Sequence, residues 1–138
     1  MNLIKNVKLS YPIQYNSETS STSIAVDMQG YEGVIFALQV GTSGSTAITM
    51  HIECGSSSGM SDMVDQTGTS IISTSTGRTM VASDFYKPIE RYVRPVVIAD
   101  TESVYSVLAM QYGARMLPVS QSSDVTADEL NVSSSGTV

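Results

Sequence analysis

Between residues 22 and 29 the chain alternates Ile24, Val26 and Met28 with Ser23, Ala25 and Asp27. This is the two-residue period of a strand with one face buried. Gly30-Tyr31-Glu32-Gly33 then turns the chain. Val34-Ile35-Phe36-Ala37-Leu38-Gln39-Val40 follows as a nearly continuous apolar run, which predicts a central strand covered on both sides. Gly41 ends it. Ile48, Met50, Ile52 and Cys54 next share one strand face while Thr49, His51 and Glu53 share the other. Shorter strands are predicted at residues 69–73 and 79–83, separated by the turn-forming Ser75-Thr76-Gly77-Arg78. Two stronger segments close the pattern. Residues 91–98 are β-branched and aromatic, and Pro95, which lacks an N–H, marks an edge or a bulge there. Residues 104–112 alternate Val104, Ser106, Leu108, Met110 and Tyr112 against Tyr105, Val107, Ala109 and Gln111. Loops are expected at residues 41–45, 55–61 and 100–103.

No longer window carries a helical period, and the strand spacing is that of a sandwich or barrel. The fold class expected is all-β: a single antiparallel β-sandwich or jelly-roll-like domain with extended N- and C-terminal arms. Residues 1–20 form an arm or first strand, 21–119 the sandwich, and 120–138 a Ser/Thr/acidic tail. Phe36, Leu38, Ile52, Val97 and Leu108 are its expected core.

At 138 residues the chain has the size of one domain and can bury a real core without a staple. Its single cysteine forbids an internal disulfide. With one histidine as well, it offers too few ligands for a zinc site and little material for nucleophile–base chemistry. A net charge of −6, with only 7 Lys and Arg, argues against nucleic acid as partner. No apolar stretch approaches a membrane span, and the first residues lack a signal-peptide pattern, so the chain is expected to be made in the cytoplasm and used without secretion. Ser and Thr make up about a quarter of the sequence, a polar surface built from hydroxyls.

The remaining candidate chemistry is sparse. His51 could pair with Glu53 as an oriented base, although an ordinary surface histidine explains the pattern. Cys54, on an apolar strand face, reads as a small hydrophobe. Asp62 and Asp65 after a Gly/Ser loop resemble a loose calcium loop but match no EF-hand spacing. Gly55-Ser56-Ser57-Ser58-Gly59 lacks the lysine and helix of a phosphate cradle. No catalytic residue, cofactor or metal is therefore expected.

Two features point to partners instead. The N-terminal Leu3, Ile4, Val7, Leu9, Tyr11, Ile13 and Tyr15, with Lys5 and Lys8, make an apolar, aromatic segment that is either an interface arm or the first strand. Lys87, Arg91 and Arg94 cluster in a chain with few cations, and Glu90 could neutralise one of them. The tail from Ser120 carries no basic residue and few apolar ones, so it either lies on its own domain or is held by a partner.

Three segments carry a resemblance: Gly30-Tyr31-Glu32-Gly33-Val34-Ile35-Phe36, Tyr86-Lys87-Pro88-Ile89-Glu90-Arg91-Tyr92-Val93-Arg94-Pro95-Val96-Val97, and Gln111-Tyr112-Gly113-Ala114-Arg115-Met116-Leu117-Pro118-Val119. In order, over about residues 24–120, they resemble the small tailed-bacteriophage head decoration, or capsid cement, proteins. The resemblance implies a non-catalytic sandwich subunit on the outer surface of the phage head, bridging major capsid subunits, with a homo-oligomer, trimer favoured. Lys5, Lys8, Tyr11, Tyr15, Lys87, Arg91, Arg94 and Arg115 are then the candidate partner contacts. The tail after Val119 matches no pattern of the family. The alternative is a glycan- or receptor-binding sandwich on the particle surface, which the lack of Trp disfavours and the seven Tyr keep open.

Overall fold

The computed structural model describes residues 3–43, 47–74 and 78–129. One helical turn, α1 (Leu3–Asn6), precedes eight strands: β1 (Lys8–Thr22), β2 (Val26–Asp27), β3 (Gly33–Ser43), β4 (Ile48–Gly55), β5 (Val64–Asp65), β6 (Ile71–Ser73), β7 (Thr79–Tyr86) and β8 (Tyr92–Tyr112). Every pairing among them is antiparallel.

The 21-residue β8 organises the molecule. Its first half pairs with β4 on one edge and with β2 and the end of β1 on the other. Its second half pairs with β3 on one edge and the start of β1 on the other. Strand β7 flanks β3, while β5 and β6 flank β4. The single sheet curls about the middle of β8, where Asp100, Thr101 and Glu102 are exposed in succession. Its two arms close on one core. The all-β fold is the one the alternation predicts, and both layers of the sandwich come from one sheet.

Val34, Phe36 and Leu38 of β3 meet Met50 and Ile52 of β4 in that core, with Val93, Val97 and Val107 of β8, all at 0% exposure. Two of the buried polar side chains in this core are satisfied by hydrogen bonds. The Tyr105 hydroxyl donates to Ser21 Oγ at 2.8 Å, and Gln111 Nε2 donates to the Asp27 carbonyl at 2.7 Å.

Several sequence expectations need correction. Leu108 is only half-buried: it lies on the outer face opposite Ala37, and the core face of this segment carries Tyr105, Val107, Ala109 and Gln111. Both faces are apolar there, so the period alone does not choose between them. Residues 100–103 do not form a loop, because β8 runs through them. Ile24 is 65% exposed, and its alternating segment pairs with β8 only at Thr22, Val26 and Asp27. The turn α1 is too short to leave a periodic signal. Pro95 faces β4 in register but sits opposite the interruption between β1 and β2, where three residues (23–25) span two (94–95). The missing N–H is tolerated at such an irregularity. Strand β3 is central, between β8 and β7, as expected; on its second face Ala37 is buried, while Ile35 and Gln39 are only half-buried. The expected turn at residues 75–77 and the tail at 130–138 lie outside the described residues.

From Lys8 onward the N-terminal segment is a strand paired along β8. The chain beyond β8 returns to it. The Val119 amide donates to the Lys5 carbonyl at 2.9 Å, and Gln121 Nε2 donates to the carbonyls of Ile4 (3.0 Å) and Val7 (2.8 Å). Gln121 Oε1 accepts from the Leu9 amide at 2.7 Å. The first part of the tail thus lies on its own domain.

Candidate functional site

Three segments far apart in sequence meet at one end of the sandwich. Gly30, at φ 87°, takes the left-handed backbone that favours glycine and lets residues 28–31 close a turn, with the Tyr31 amide donating to the Met28 carbonyl at 3.0 Å. The loop after β7 is tied to this turn: Lys87 N–H donates to the Glu32 carbonyl (2.7 Å) and Met28 N–H to the Arg91 carbonyl (2.8 Å). The third segment joins through Arg115 N–H to the Gly30 carbonyl (2.9 Å) and Glu32 N–H to the Tyr112 carbonyl (3.0 Å). Between them lies a groove of about 610 Å³, lined among others by Met28, Tyr31, Lys87, Ile89, Arg91 and Arg115.

The groove gathers three cationic side chains, together with Glu32 and Glu90. Arg91 is held by a two-point pair with Asp27, Nε to Oδ1 and Nη2 to Oδ2, each 2.9 Å. That hydrogen bonding, aided by the guanidinium charge, keeps the Asp27 carboxyl below its ordinary range despite partial burial. The pair's stabilisation is complete above the unfolded carboxylate pKa and is lost as pH falls through the lowered one. Both side chains are nearly half exposed, so solvent screens it. Lys87 lies 5.3 Å from the Tyr86 ring centre, and Arg91 5.1 Å from that of Tyr92. Ile89 in the rim is 92% exposed, and Met116 and Leu117, next along the chain from Arg115, are 84% and 59% exposed. Large apolar side chains beside mixed charges are the make-up of a protein-binding surface. Because both signs are present, the groove does not suit a polyanion.

The eight residues singled out in the sequence separate into distinct places. Lys87, Arg91 and Arg115 share the groove. Arg94 does not: it lies on the outer face of β8, opposite Glu53 of β4, with Nε and Nη2 at 2.9 and 2.8 Å from Oε2. Glu90 was the expected counter-charge for one of this cluster; Arg91 is met by Asp27 and Arg94 by Glu53. Lys5 is exposed on α1, and Lys8 is half-buried at the start of β1. The Tyr11 hydroxyl accepts from the Tyr15 amide at 3.1 Å, and Tyr15 lines a second groove of about 440 Å³ with Gln39, Arg78, Met80 and Val104. The sequence reasoning missed Met28, Tyr31, Ile89, Met116 and Leu117. The signal was available in Pro88-Ile89 and Met116-Leu117-Pro118, bulky apolar residues beside prolines where no strand pattern buries them.

His51 Nε2 lies 3.6 Å from Glu53 Oε1, beyond a hydrogen bond, and the other oxygen of that carboxylate serves Arg94. Asp62 closes its own loop: it accepts from the Ser56 hydroxyl and amide and from the Ser57 amide, which lowers its pKa. Among the described residues, no group of three or more His, Cys, Asp or Glu could hold a metal ion. Tyr112 lies across Gly33 and donates to Asp84, and burial, reinforced by that carboxylate, pushes its pKa up to about 12.

Cys54 is 1% exposed, and burial, with the nearby Glu90 charge, pushes its thiol up to about 11. Thiolate is the reactive form. The native chain is therefore expected to resist a thiol reagent at neutral pH and to react once unfolded in urea. Equal labelling rates in the two states would show that Cys54 is not sealed.

No family model matches the chain, and no curated protein matches it. Among solved structures, the PBSX exported protein XepA is similar over 92% of this chain and 44% of that one, at 16% identity and a TM-score of 0.54. The chain therefore spans less than half of that protein's length. A structure from the Bacillus endospore appendages, a family of disulfide-linked pili, gives a TM-score of 0.47 at 9% identity, over 77% of this chain and 85% of that one. PirA gives 0.36 at 11% identity, over 78% and 93%. The likeness to XepA is one of fold: an antiparallel all-β domain. No helix among the described residues is long and apolar enough to cross a membrane.

Proposed function

We propose that this chain is a non-catalytic structural protein of a phage particle, bound to the outside of the head by the groove end of its sandwich and bridging neighbouring major capsid subunits. One observation carries the reading. The three segments that resemble the phage decoration proteins, beginning at Gly30, Tyr86 and Gln111, are the segments that build the groove and its apolar rim. Each segment also runs into the core, through Val34, Phe36, Val93 and Val97, but residues 30–32, 87–91 and 115 of the three meet at this one groove. That surface offers exposed Ile89 for burial, with exposed Met116 and Leu117 next along the chain from Arg115, and Lys87 and Arg115 to fix orientation. A shell presents many copies of one partner, so contacts of this modest kind would add by avidity.

The test uses heads of the encoding phage that lack this chain, incubated with purified protein and pelleted. Reversing the two groove cations for which no ion pair is seen among the described residues, Lys87→Glu with Arg115→Glu, is expected to lower occupancy by roughly tenfold or more, equivalent to about 1.4 kcal/mol or more, without changing the melting temperature. Unchanged occupancy would remove the groove from the contact. Failure of the unaltered chain to pellet with heads would remove the capsid reading itself.

A further inference from the structure

Among the described residues, strand β7 ends the order of the sheet and pairs on one side only, with β3. It runs from Thr79 to Tyr86 in continuous register, Tyr86 opposite Gly33 through Thr79 opposite Val40, without a bulge. Its sequence, Thr79-Met80-Val81-Ala82-Ser83-Asp84-Phe85-Tyr86, contains neither proline nor lysine. Those are two of the devices that protect an edge from pairing with another chain, and the strand's one charge, Asp84, already accepts from the Tyr112 hydroxyl. Toward the core, Val81 and Phe85 pack only partly against it; on the outer face Met80 and Tyr86 are 61% and 55% exposed.

From this we infer that β7 pairs with β7 of a second copy of this chain, antiparallel and centred on Ser83, joining the two sheets into one. The register follows from the strand's own sequence. Centred on Ser83, Val81 meets Phe85 of the second copy on the core side, and Met80 meets its Tyr86 on the outer side. Ala82 then lies opposite the second copy's Asp84. A shift that centres the pair on Asp84 sets two like charges opposite each other, which is unfavourable. Centring it on Ala82 puts Phe85 against Thr79 and Asp84 against Met80. A slip of one residue turns the apolar pair to the wrong face of the joint sheet. The contact is self-complementary, so it closes as a two-fold dimer and does not build a ring of three. It lies on the edge strand and meets the groove only at one end, where Thr79 comes opposite the second copy's Lys87; its test reads self-association and not capsid occupancy.

An edge of eight residues is smaller than a standard interface, so the dimer is expected to dissociate on dilution. Sedimentation equilibrium on the full chain reads this directly. Ala82 is exposed, and Ala82→Asp sets a carboxylate against Asp84 twice over; it is expected to weaken association by roughly tenfold. Ala82→Lys, which sets an opposite charge there, is expected to preserve or strengthen it. A Ser83→Cys variant places the new thiol opposite its own copy, within the span a disulfide needs. With Cys54 buried, mild oxidation is expected to give a linked dimer faster than in an exposed-loop control, Ser58→Cys. A chain that stays monomeric and links no faster than the control overturns the proposal. So does a trimer, or an equal loss of association in Ala82→Asp and Ala82→Lys.

Discussion

Replacing Phe36 by alanine is expected to destabilise the chain by about 3–5 kcal/mol, the range for emptying a fully buried aromatic site. Phe36 has 0% exposure and sits in the middle of β3, with strands on both edges, β8 at Ala109 and β7 at Ser83. Its neighbours in the core come from strands already pinned by their own ladders. The space cannot collapse without shifting a sheet, so the cavity term should be near its full size. A domain of this length has a total stability on the order of 5–15 kcal/mol, so the loss is a large part of it. Urea denaturation followed by far-ultraviolet dichroism reads the change as a lower midpoint at constant slope. Leu108→Ala is the internal comparison. That side chain is half-buried on the outer face, and its removal should cost clearly less. If Leu108→Ala lowered the midpoint as much as Phe36→Ala, the inward and outward faces of β8 would have to be exchanged.

That comparison marks where the sequence stops being legible. In β4 the alternation of Ile48, Met50, Ile52 and Cys54 with polar residues names the buried face without ambiguity, and all four are buried. In the second half of β8 Val107 and Ala109 face Leu108 and Met110 across the strand, apolar against apolar. Only the curl that aligns the inward residues of both halves decides between them. The curl is also why residues 100–103, rich in loop-forming types, remain in the strand: β3 and β4 leave β8 there, at Ser103 and Ala99, and the backbone bends without ending. The site was legible in part. Lys87, Arg91 and Arg115 could be named as contacts from local motifs, but their convergence depends on pairings such as Arg91 with Asp27, 64 positions away. Arg94, three residues along from Arg91, reaches the opposite strand and Glu53 because it lies in β8, and Arg91 precedes it. No spacing rule contains that difference.

The tail shows the limit of composition most clearly. A run of Ser, Thr and acidic residues cannot offset an ordering entropy of roughly 1–2 kcal/mol per residue by itself, which predicts mobility from Ser120 onward. One side chain changes the balance for the described part of it. The Gln121 amide makes three hydrogen bonds at once, to the carbonyls of Ile4 and Val7 and from the amide of Leu9. It spans the junction between α1 and β1, where the helical turn and the ladder both leave backbone groups unpaired. Asp124 adds an acceptor for the Tyr11 amide at 3.1 Å. Gln121→Ala returns those groups to water at a partly exposed site, so the expected loss is modest and local, about 1–2 kcal/mol. Hydrogen exchange resolves it by residue. The Leu9 amide, whose acceptor is removed, should exchange roughly ten-fold faster or more, the rate change that about 1.4 kcal/mol of lost protection gives. The amides of Val34 and Phe36, in the core ladder, should keep their rates. Gln121→Glu separates the two halves of the contact: it keeps an acceptor for Leu9 but turns a carboxylate toward two carbonyls, and should restore little of the protection. An unchanged Leu9 rate in both variants would mean that the β1 ladder alone holds the N-terminal segment, and that the tail rests on it without fastening it.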